Sequence, residues 1–461
     1  MSLYSALTTS VAGLGAQSTA MQNISGNIAN TSTNGFKRVD TAFVDLVSNQ
    51  TADKNKQTSG SVLANSRQTN TVAGSVDSSQ TTTHMSISGD GYFVVYDKIG
   101  EIDGKPIFDG TPLYTRRGDF TQDEDGYFVN EAGYYLAVIE LDEATGNPVS
   151  SVPEPTTFEE GFMAAEATTT LTYTGNLPAV PTTSDSSGSM LTPGTGYTVD
   201  PTSASLGGTG VVQAQDEVQF LSQSISGGAI TAYVANGESA SVQLRWAKVV
   251  EGDPSIPTED TWNLFYKSDS TATGTATKWT NVEQDYTFDS TGAMTSPTSN
   301  VTVTAMTIDG VDLGNIILDH GGNGDGITAY ATTSGIANMN LSQDGAAAGE
   351  QTSLSIDDNG YVIANYSNGK SSSLAEVILA SFDGDNYLAR ASGGAFRATE
   401  DSGLAILGAT GSIRGSSLES SNVDIADEFS KMIISQQAYS ANTRVLSTAR
   451  DMLSEVMQII R

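Results

Sequence analysis

Cysteine is absent from the 461 residues of this chain, which excludes disulfide bonds, thiol catalysis and cysteine-ligated metals. Histidine occurs only as His84 and His320, and a lone histidine is more often a satisfied structural residue than a ligand or a catalyst. No segment is long and apolar enough to predict a transmembrane helix. The N-terminus also lacks the charged and apolar pattern of a secretory leader, so we expect any export to proceed without a cleaved signal peptide.

Positive charge is scarce, because 21 Lys and Arg face 53 Asp and Glu for a net charge of −32. This balance makes nucleic acid and anionic membrane surfaces unfavourable partners. The acidic excess lies in the middle of the chain, since residues 1–36 carry no charged side chain and acids balance bases in residues 425–461. Such ends can pack against copies of themselves without repulsion, whereas we expect the acidic middle to face solvent.

Motifs for catalysis are missing as well. The sequence contains no phosphate-binding glycine loop and no nucleophile elbow. Two calcium-like stretches, residues 119–126 and 321–326, lack the ligand spacing of a calcium loop, and ordinary turn chemistry explains both. We therefore predict a protein that is not an enzyme and that has no cofactor and no catalytic or metal site.

Apolar residues recur at heptad spacing near both ends of the chain. This pattern predicts two terminal helices, the first from Ser5 to about Asn30, that pair with each other or with neighbouring copies. The N-terminal helix is rich in Gly, Ser, Thr and Asn, so it depends on packing, and we expect it to be disordered in a free monomer. The heptad residues are Leu7, Leu14, Met21 and Ile28 with Leu3 and Ile24, and then Ile425, Met432, Tyr439, Leu446, Leu453 and Ile460 with Phe429 and Met457.

Short strands separated by Asp-Gly and Asn-Gly turns fill the rest of the chain and predict a mainly β fold with terminal α-helical coiled-coil arms. The organisation is nested, because the strand pattern of the first β region resumes after a long Thr-, Ser- and Gly-rich insertion. That insertion contains Trp246, Trp262 and Trp279, which we expect to anchor its core. The predicted parts are an N-terminal helical arm (1–36), an extended linker (37–84), a first β domain in two pieces (85–150 and 346–422), an inserted outer β domain (151–345) and a C-terminal helical arm (423–461).

Several segments together resemble the bacterial flagellar axial proteins, the family of rod and hook subunits. At the N-terminal end they are residues 26–31 (GNIANT) and 35–37 (GFK), and at the C-terminal end residues 418–424 (LESSNVD) with the helix that follows. Residues 114–120, 360–366 and 404–408 resemble the first β domain of that family. The resemblance is weak across residues 153–345. Rod proteins share the end motifs but lack a large inserted domain, so the hook branch of the family fits best.

This resemblance implies a subunit that polymerises into a flexible tube transmitting motor torque. It also implies export of the unfolded chain through the flagellar type III channel, addition at the distal tip and a place in the extracellular flagellum. The implied partners are copies of the chain itself, a hook cap protein, a distal rod protein, a hook–filament junction protein and the export apparatus. The implied assembly residues are Leu3, Leu7, Val11, Leu14, Met21, Ile24, Asn27, Ile28, Asn30, Gly35, Phe36, Asn422, Val423, Ile425, Phe429, Met432, Gln436, Tyr439, Asn442, Leu446, Leu453, Met457 and Ile460.

Three other interpretations stay open at this point. A distal rod-type axial protein would share the end motifs. An extracellular β-rich adhesin or binding module would use the inserted domain to bind a saturable ligand and would not self-assemble. A secreted β hydrolase would need a convergent acid and base, and no pair of carboxylates in so acidic a chain stands out.

Overall fold

The computed structural model describes residues 3–46, 61–102, 104–142, 145–184, 191, 196–252, 259–321, 326–331, 335–408 and 411–459. The chain forms two compact units. Unit 1 comprises Met1–Gly161, Gln351–Asn365 and Ser371–Arg461, and unit 2 comprises Phe162–Glu350 and Tyr366–Lys370. The predicted fold class, mainly β with helices at both ends that pack together, is confirmed.

Helices are few and strands are many in the described ranges. The α-helices are α1 (Leu3–Ala29), α2 (Glu217–Gln223) and α3 (Ile425–Ile459). The strands are β1 (Val39–Leu46), β2 (Ser61–Gln68), β3 (Val76–Ser78), β4 (Met85–Ser88), β5 (Tyr92–Tyr96), β6 (Lys98–Ile102), β7 (Lys105–Phe108), β8 (Leu113–Thr115), β9 (Phe120–Gln122), β10 (Phe128–Asn130), β11 (Tyr135–Glu140), β12 (Glu154–Pro155), β13 (Phe162–Met163), β14 (Thr170–Asn176), β15 (Val211–Gln213), β16 (Ile225–Tyr233), β17 (Ser239–Val250), β18 (Asp260–Lys267), β19 (Thr277–Phe288), β20 (Met294–Ser296), β21 (Val301–Ile308), β22 (Val311–Asp319), β23 (Ile327–Thr328), β24 (Ala337–Gln343), β25 (Gly349–Ile356), β26 (Tyr361–Tyr366), β27 (Ser371–Glu376), β28 (Leu379–Ser381), β29 (Ala389–Arg390), β30 (Ala395–Arg397), β31 (Ile406–Leu407), β32 (Ser412–Gly415) and β33 (Ser417–Glu419).

The start of α3 is set by an acidic cap. The Asp424 carboxylate accepts hydrogen bonds from the backbone N–H groups of Ala426 (2.8 Å) and Asp427 (3.1 Å), which have no partner inside the helix. Asp427 and Glu428 place further negative charge in the first turn, where the helix dipole favours it. The sequence therefore contains a local reason for α3 to begin at Ile425.

Residues 37–84 differ from the extended linker that the sequence predicts. β1 and β2 form an antiparallel pair from Val39↔Gln68 to Leu46↔Ser61, and this ribbon packs on α1. The Asn23 amide of α1 donates hydrogen bonds to the hydroxyls of Thr41 (2.9 Å) and Ser66 (3.1 Å). Because such contacts are polar and half exposed, the ribbon leaves no alternation of buried apolar residues in the sequence. Residues 47–60 of the predicted linker lie outside the described residues.

The β part of unit 1 joins both pieces of the interrupted sequence. β5 pairs with β8 and β11, which precede the insertion, and with β28, which follows it. Tyr92 on β5 makes edge-on ring contacts with Phe382 and Phe396 in one buried cluster. The hairpin predicted at Asn359–Gly360 is present as the turn between β25 and β26.

Unit 2 has a large apolar core shared by two sheets. One sheet has the order β15-β19-β18-β17-β16, and the other has the order β21-β22-β14-β23. Trp246 and Trp262 are fully buried in the shared core, and Trp279 lies in a second cluster with Phe220 and Phe265. The prediction that the three tryptophans anchor this region is confirmed.

Candidate assembly site at the chain ends

The seam between α1 and α3 consists mainly of small and polar residues. Glu428, Ser435 and Ala449 are the buried residues of α3 within the described part of that helix. An added Cβ at Gly13 of α1 would lie 3.0 Å from the Asn442 amide, so the two helices approach closely at this point. Glu428, Ser435, Asn442 and Ala449 lie seven residues apart, as a coiled-coil seam requires. Over residues 6–29 of α1, the buried positions are Ser10, Gly13, Ala16, Ala20, Ile24 and Asn27.

Several apolar residues of the two helices lie beside this seam rather than in it. Val11 is 55% exposed, Phe429 is 49% exposed and Met457 is 69% exposed. Ile433 and Ile434, which lie outside the predicted heptad positions, are exposed as well. Exposed apolar surface of this extent on paired helices is typical of a protein–protein interface.

Asn27 fastens α1 to both β1 and α3. Its side chain exchanges hydrogen bonds with the backbone of Val39, accepting from N–H at 2.9 Å and donating to the carbonyl oxygen at 3.0 Å. The same amide donates to the buried Glu428 carboxylate at 2.9 Å. Lys431 completes the group by donating to Glu428 at 2.8 Å. An aspartate or leucine at position 27 could not supply both the donor and the acceptor.

A buried charge cluster joins the segment that follows α1 to the segment that precedes α3. The Glu419 carboxylate accepts hydrogen bonds from the Lys37 ammonium (2.5 Å), from the Gly74 N–H (2.8 Å) and from the Arg116 guanidinium (3.4 Å). Lys37 and Glu419 are each 1% exposed. Burial lowers the pKa of the Lys37 ammonium, while the Glu419 carboxylate acts in the opposite direction. We name Lys37, Arg116 and Glu419 the root cluster.

The motif residues 35–37 surround the root cluster. Gly35 has φ +64°, and a Cβ there would lie 2.6 Å from the backbone carbonyl carbon of Arg116, so only glycine fits. The Arg390 guanidinium lies over the Phe36 ring at 4.9 Å and donates to the Lys37 carbonyl oxygen at 2.7 Å. The Asn422 carboxamide accepts from the Arg38 N–H at 2.7 Å. The two end motifs are therefore complementary halves of one junction.

The structure brings only some of the expected assembly residues into contact within one chain. Those at least half-buried in the helix seam or the junction are Leu7, Leu14, Met21, Ile24, Asn27, Ile28, Asn30, Gly35, Phe36, Asn422, Val423, Met432, Asn442, Leu446 and Leu453. Those exposed are Val11, Ile425, Phe429, Gln436, Tyr439 and Met457. Ile460 and the side chain of Leu3 lie outside the described residues.

Sequence reasoning missed the charged residues of this region. Arg116 lies in a segment that the sequence assigns to the β domain. Glu419 lies in the second end motif, where the predicted assembly residues begin only at Asn422. Lys37 is the first charged residue of the chain, directly after 36 uncharged positions. This position is the one feature of the sequence that could have drawn attention to it. No sequence pattern predicts that Lys37 and Glu419, 382 positions apart, form an ion pair.

Each of the two histidines shares a hydrogen bond with a hydroxyl group. His84 shares a hydrogen bond of 2.8 Å with the Ser79 hydroxyl, and His320 shares one of 2.9 Å with the Tyr286 hydroxyl. Over the described ranges, no three His, Asp or Glu side chains are placed to hold a metal ion. No helix in the described part of the chain is long and apolar enough to cross a membrane.

Two known families match parts of this chain. The family described as the flagellar hook protein FlgE/F/G D1 domain matches residues 86–152. The family described as the flagellar basal body rod FlgEFG protein C-terminal matches residues 414–459, which include Glu419 of the root cluster and all of α3.

Similarity to individual relatives extends over the whole chain. The flagellar hook protein FlgE of Brucella suis is 28% identical over 466 residues, covering 100% of both chains. The flagellar hook protein FlgE of Salmonella typhimurium is 26% identical, covering 97% of this chain and 98% of that protein. The solved structure of the Helicobacter pylori flagellar hook protein FlgE2 covers 73% of this chain and 99% of its own, with 16% identity and a TM-score of 0.47.

This chain is similar to the flagellar basal-body rod and hook family, a class of structural proteins of the flagellum. Within that family the similarity is to the hook type, because the hook proteins match the chain along its full length. The family is not enzymatic, as the sequence predicts for this chain.

Proposed function

We propose that this chain is the repeating subunit of a flagellar hook and that it polymerises with copies of itself through α1 and α3. The observation that carries the proposal is the distribution of side chains on these helices. Small and polar residues close the seam within one chain, so residues such as Phe429 and Ile433 are left exposed. These apolar faces would be covered by α1 and α3 of neighbouring copies.

The junction around the root cluster supports this function by directing the helices. The end of α1 and the start of α3 are connected through backbone hydrogen bonds of Gly35, Phe36 and Asn422. The Arg116 guanidinium connects this junction to the β part of unit 1. A tube that transmits torque needs a firm connection between its helical layer and its β layer. The buried, hydrogen-bonded ion pair of Lys37 with Glu419 is suited to that task because it specifies one geometry.

The remaining partners and the location follow from the same proposal. The subunit would leave the cell unfolded, without a cleaved signal peptide, through the flagellar export apparatus and would add at the distal tip under a cap protein. Its end contacts would be with a distal rod protein and with a hook–filament junction protein. The absence of cysteine fits this route, since a chain without thiols cannot form wrong disulfides outside the cell.

The proposal is tested by comparing the full chain with a variant that lacks residues 1–36 and 425–461, using electron microscopy and sedimentation at high concentration. We expect curved tubes from the full chain alone and a folded monomer from the truncated chain. Tubes formed equally well by the truncated chain would contradict the role of the helices. A monomeric full chain that binds a saturable ligand would instead favour the adhesin interpretation.

A further inference from the structure

An exposed apolar loop in unit 1 is not explained by the helix contacts. Residues 403–408, which we name the apolar loop, have the sequence Gly-Leu-Ala-Ile-Leu-Gly. Leu404 is 88% exposed, Ile406 is 53% exposed and Leu407 is 42% exposed. Apolar surface of this kind on a strongly acidic protein marks an interaction site.

The apolar loop is held in place by the sheet. β31 within it pairs with β28 through Ala380↔Leu407 and Ser381↔Ile406, and the Gly408 N–H donates to the Leu379 carbonyl oxygen at 2.9 Å. The exposed side chains are therefore presented on a fixed backbone, which lowers the entropic cost of docking.

A groove of matching character lies between α1, β1 and α3. Its cavity volume is about 420 Å³, and its apolar lining includes Ala20, Ile24, Ala42, Phe43 and Ile434. Phe43 and Ile434 are 48% and 66% exposed. No residue of the apolar loop lines this groove, so the loop does not fill the groove of its own chain in the described structure.

We infer that the apolar loop of one copy docks in the α1–β1–α3 groove of a second copy. Charge complementarity favours this occupant. The exposed acids Glu400 and Asp401 precede the loop, and Arg67 and Lys431 line the groove. Among the described residues, Arg67 has no carboxylate within ion-pair distance. Asp40 and Glu428 also line the groove and pair with Lys431, so Arg67 is the lining cation that still lacks a carboxylate partner among the described residues. A second copy would supply that negative charge together with the apolar surface.

A contact between the apolar loop of one copy and the groove of another is of the kind that builds a helical tube. The loop and the groove are different surfaces, so the contact is heterologous, and a pair of copies retains one free loop and one free groove for further copies. Heterologous contacts that do not close into a ring build open helical filaments. This inference rests on the proposed function, because it names the surfaces through which copies of the same chain meet.

The absence of cysteine allows a clean test by disulfide crosslinking. Ala42→Cys places a thiol in the groove, and Ala405→Cys places one in the loop, with the large apolar side chains left intact. The two single variants are mixed, assembled into tubes and oxidised, so that a link between positions 42 and 405 can form only between two copies. We expect covalent dimers in the mixture and few in either variant assembled alone.

A matched control replaces Ala405→Cys by Ala391→Cys, another half-buried alanine of unit 1. Tubes that form at normal yield but crosslink no better through position 405 than through position 391 would overturn the inference and leave the proposed function standing. Failure of the unmodified full chain to form tubes would contradict the proposed function itself.

A second readout uses the strength of assembly. Leu404→Asp should raise the concentration needed for tube formation at least about tenfold, because it removes apolar contact and places a carboxylate against the apolar side chains of Ile24, Phe43 and Ile434. Leu404→Met keeps the apolar volume and should leave that concentration within about twofold. Equal critical concentrations for Leu404→Asp and the parent chain would also overturn the inference.

Discussion

Unit 2 and the terminal helices are stabilised by different kinds of contact. Unit 2 buries its largest side chains against one another, with Trp246 and Tyr286 fully buried at a ring distance of 4.8 Å. The helices instead bury Gly, Ala, Ser and single polar residues and leave large apolar side chains such as Phe429 exposed. Unit 2 therefore has a core of its own, whereas the helices leave apolar side chains exposed that, under the proposed function, copies of the chain would cover.

The largest effect on stability is expected in the core of unit 2. Trp246→Ala should lower the free energy of unfolding of unit 2 by about 5 kcal/mol, because a fully buried ring and its contacts with Tyr173 and Tyr286 are lost. Urea unfolding followed by the fluorescence of Trp262 and Trp279 measures this change. A loss below about 1 kcal/mol would show that the Trp246 core does not hold unit 2 together.

The next largest effect is expected at the root cluster. Glu419→Ala should lower the free energy of unfolding of unit 1 by about 4 kcal/mol, since it leaves the buried Lys37 and Arg116 charges without their partner. Hydrogen exchange of β1 and of the β5 sheet measures the loss in unit 1. Glu400→Ala, at an exposed position, is the control and should be neutral. Similar exchange in both variants would contradict the coupling assigned to Glu419.

Acid should lower the free energy of unfolding of unit 2, and we expect His320 to be the group responsible. Burial lowers the pKa of His320 from 6.5 to about 4, although Asp319 opposes this shift, so the folded state holds the neutral ring. The unfolded chain binds a proton below pH 6.5, so the stabilisation is complete above that pH and is lost as pH falls towards 4. The expected loss is about 3 kcal/mol.

Urea unfolding of unit 2 at pH 7, 5 and 4 measures the acid effect. His320→Gln should reduce the slope of stability against pH between 6.5 and 4, and His84→Gln should retain it. An unchanged slope in His320→Gln would show that other groups control the acid response.

The smallest effect on the monomer is expected on the exposed faces of the helices. Phe429→Ser should change the free energy of unfolding of the monomer by no more than about 0.5 kcal/mol, because the side chain is half exposed. The same change should reduce tube formation, measured by sedimentation. Gln436→Ser, also exposed on α3, is the matched polar control. A large loss of monomer stability would mean that Phe429 serves the intramolecular seam.

Much of this architecture could be predicted because its signals are local. Heptad spacing indicated both helices, Asn-Gly turns indicated hairpins and the three tryptophans indicated the core of unit 2. The heptad could not distinguish the inner face of α3 from its outer face, since Ser435 and Ala449 are buried there while Ile425 and Phe429 are exposed. Helix periodicity finds the apolar stripe, and only the fold shows which partner covers it.

The junction and the ribbon were missed for a related reason. Lys37, Arg116 and Glu419 are charged residues, which normally indicate a surface position, and their burial depends on contacts across most of the chain. The β1–β2 ribbon is stabilised by polar contacts from Asn23 and leaves no apolar alternation. Contacts between distant polar residues have no periodic signature in a sequence.

The most direct test of the central claim measures the accessibility of the outer face of α3 in the monomer and in the tube. Ile433→Cys introduces a single thiol at a position that is 54% exposed, and Val218→Cys on α2, at 82% exposure, provides the reference. We predict that a thiol reagent labels position 433 at least about tenfold more slowly in tubes than in monomers, while the labelling rate at position 218 changes little. Equal labelling of position 433 in both states would show that neighbouring copies do not cover the apolar face of α3, and the account would be wrong.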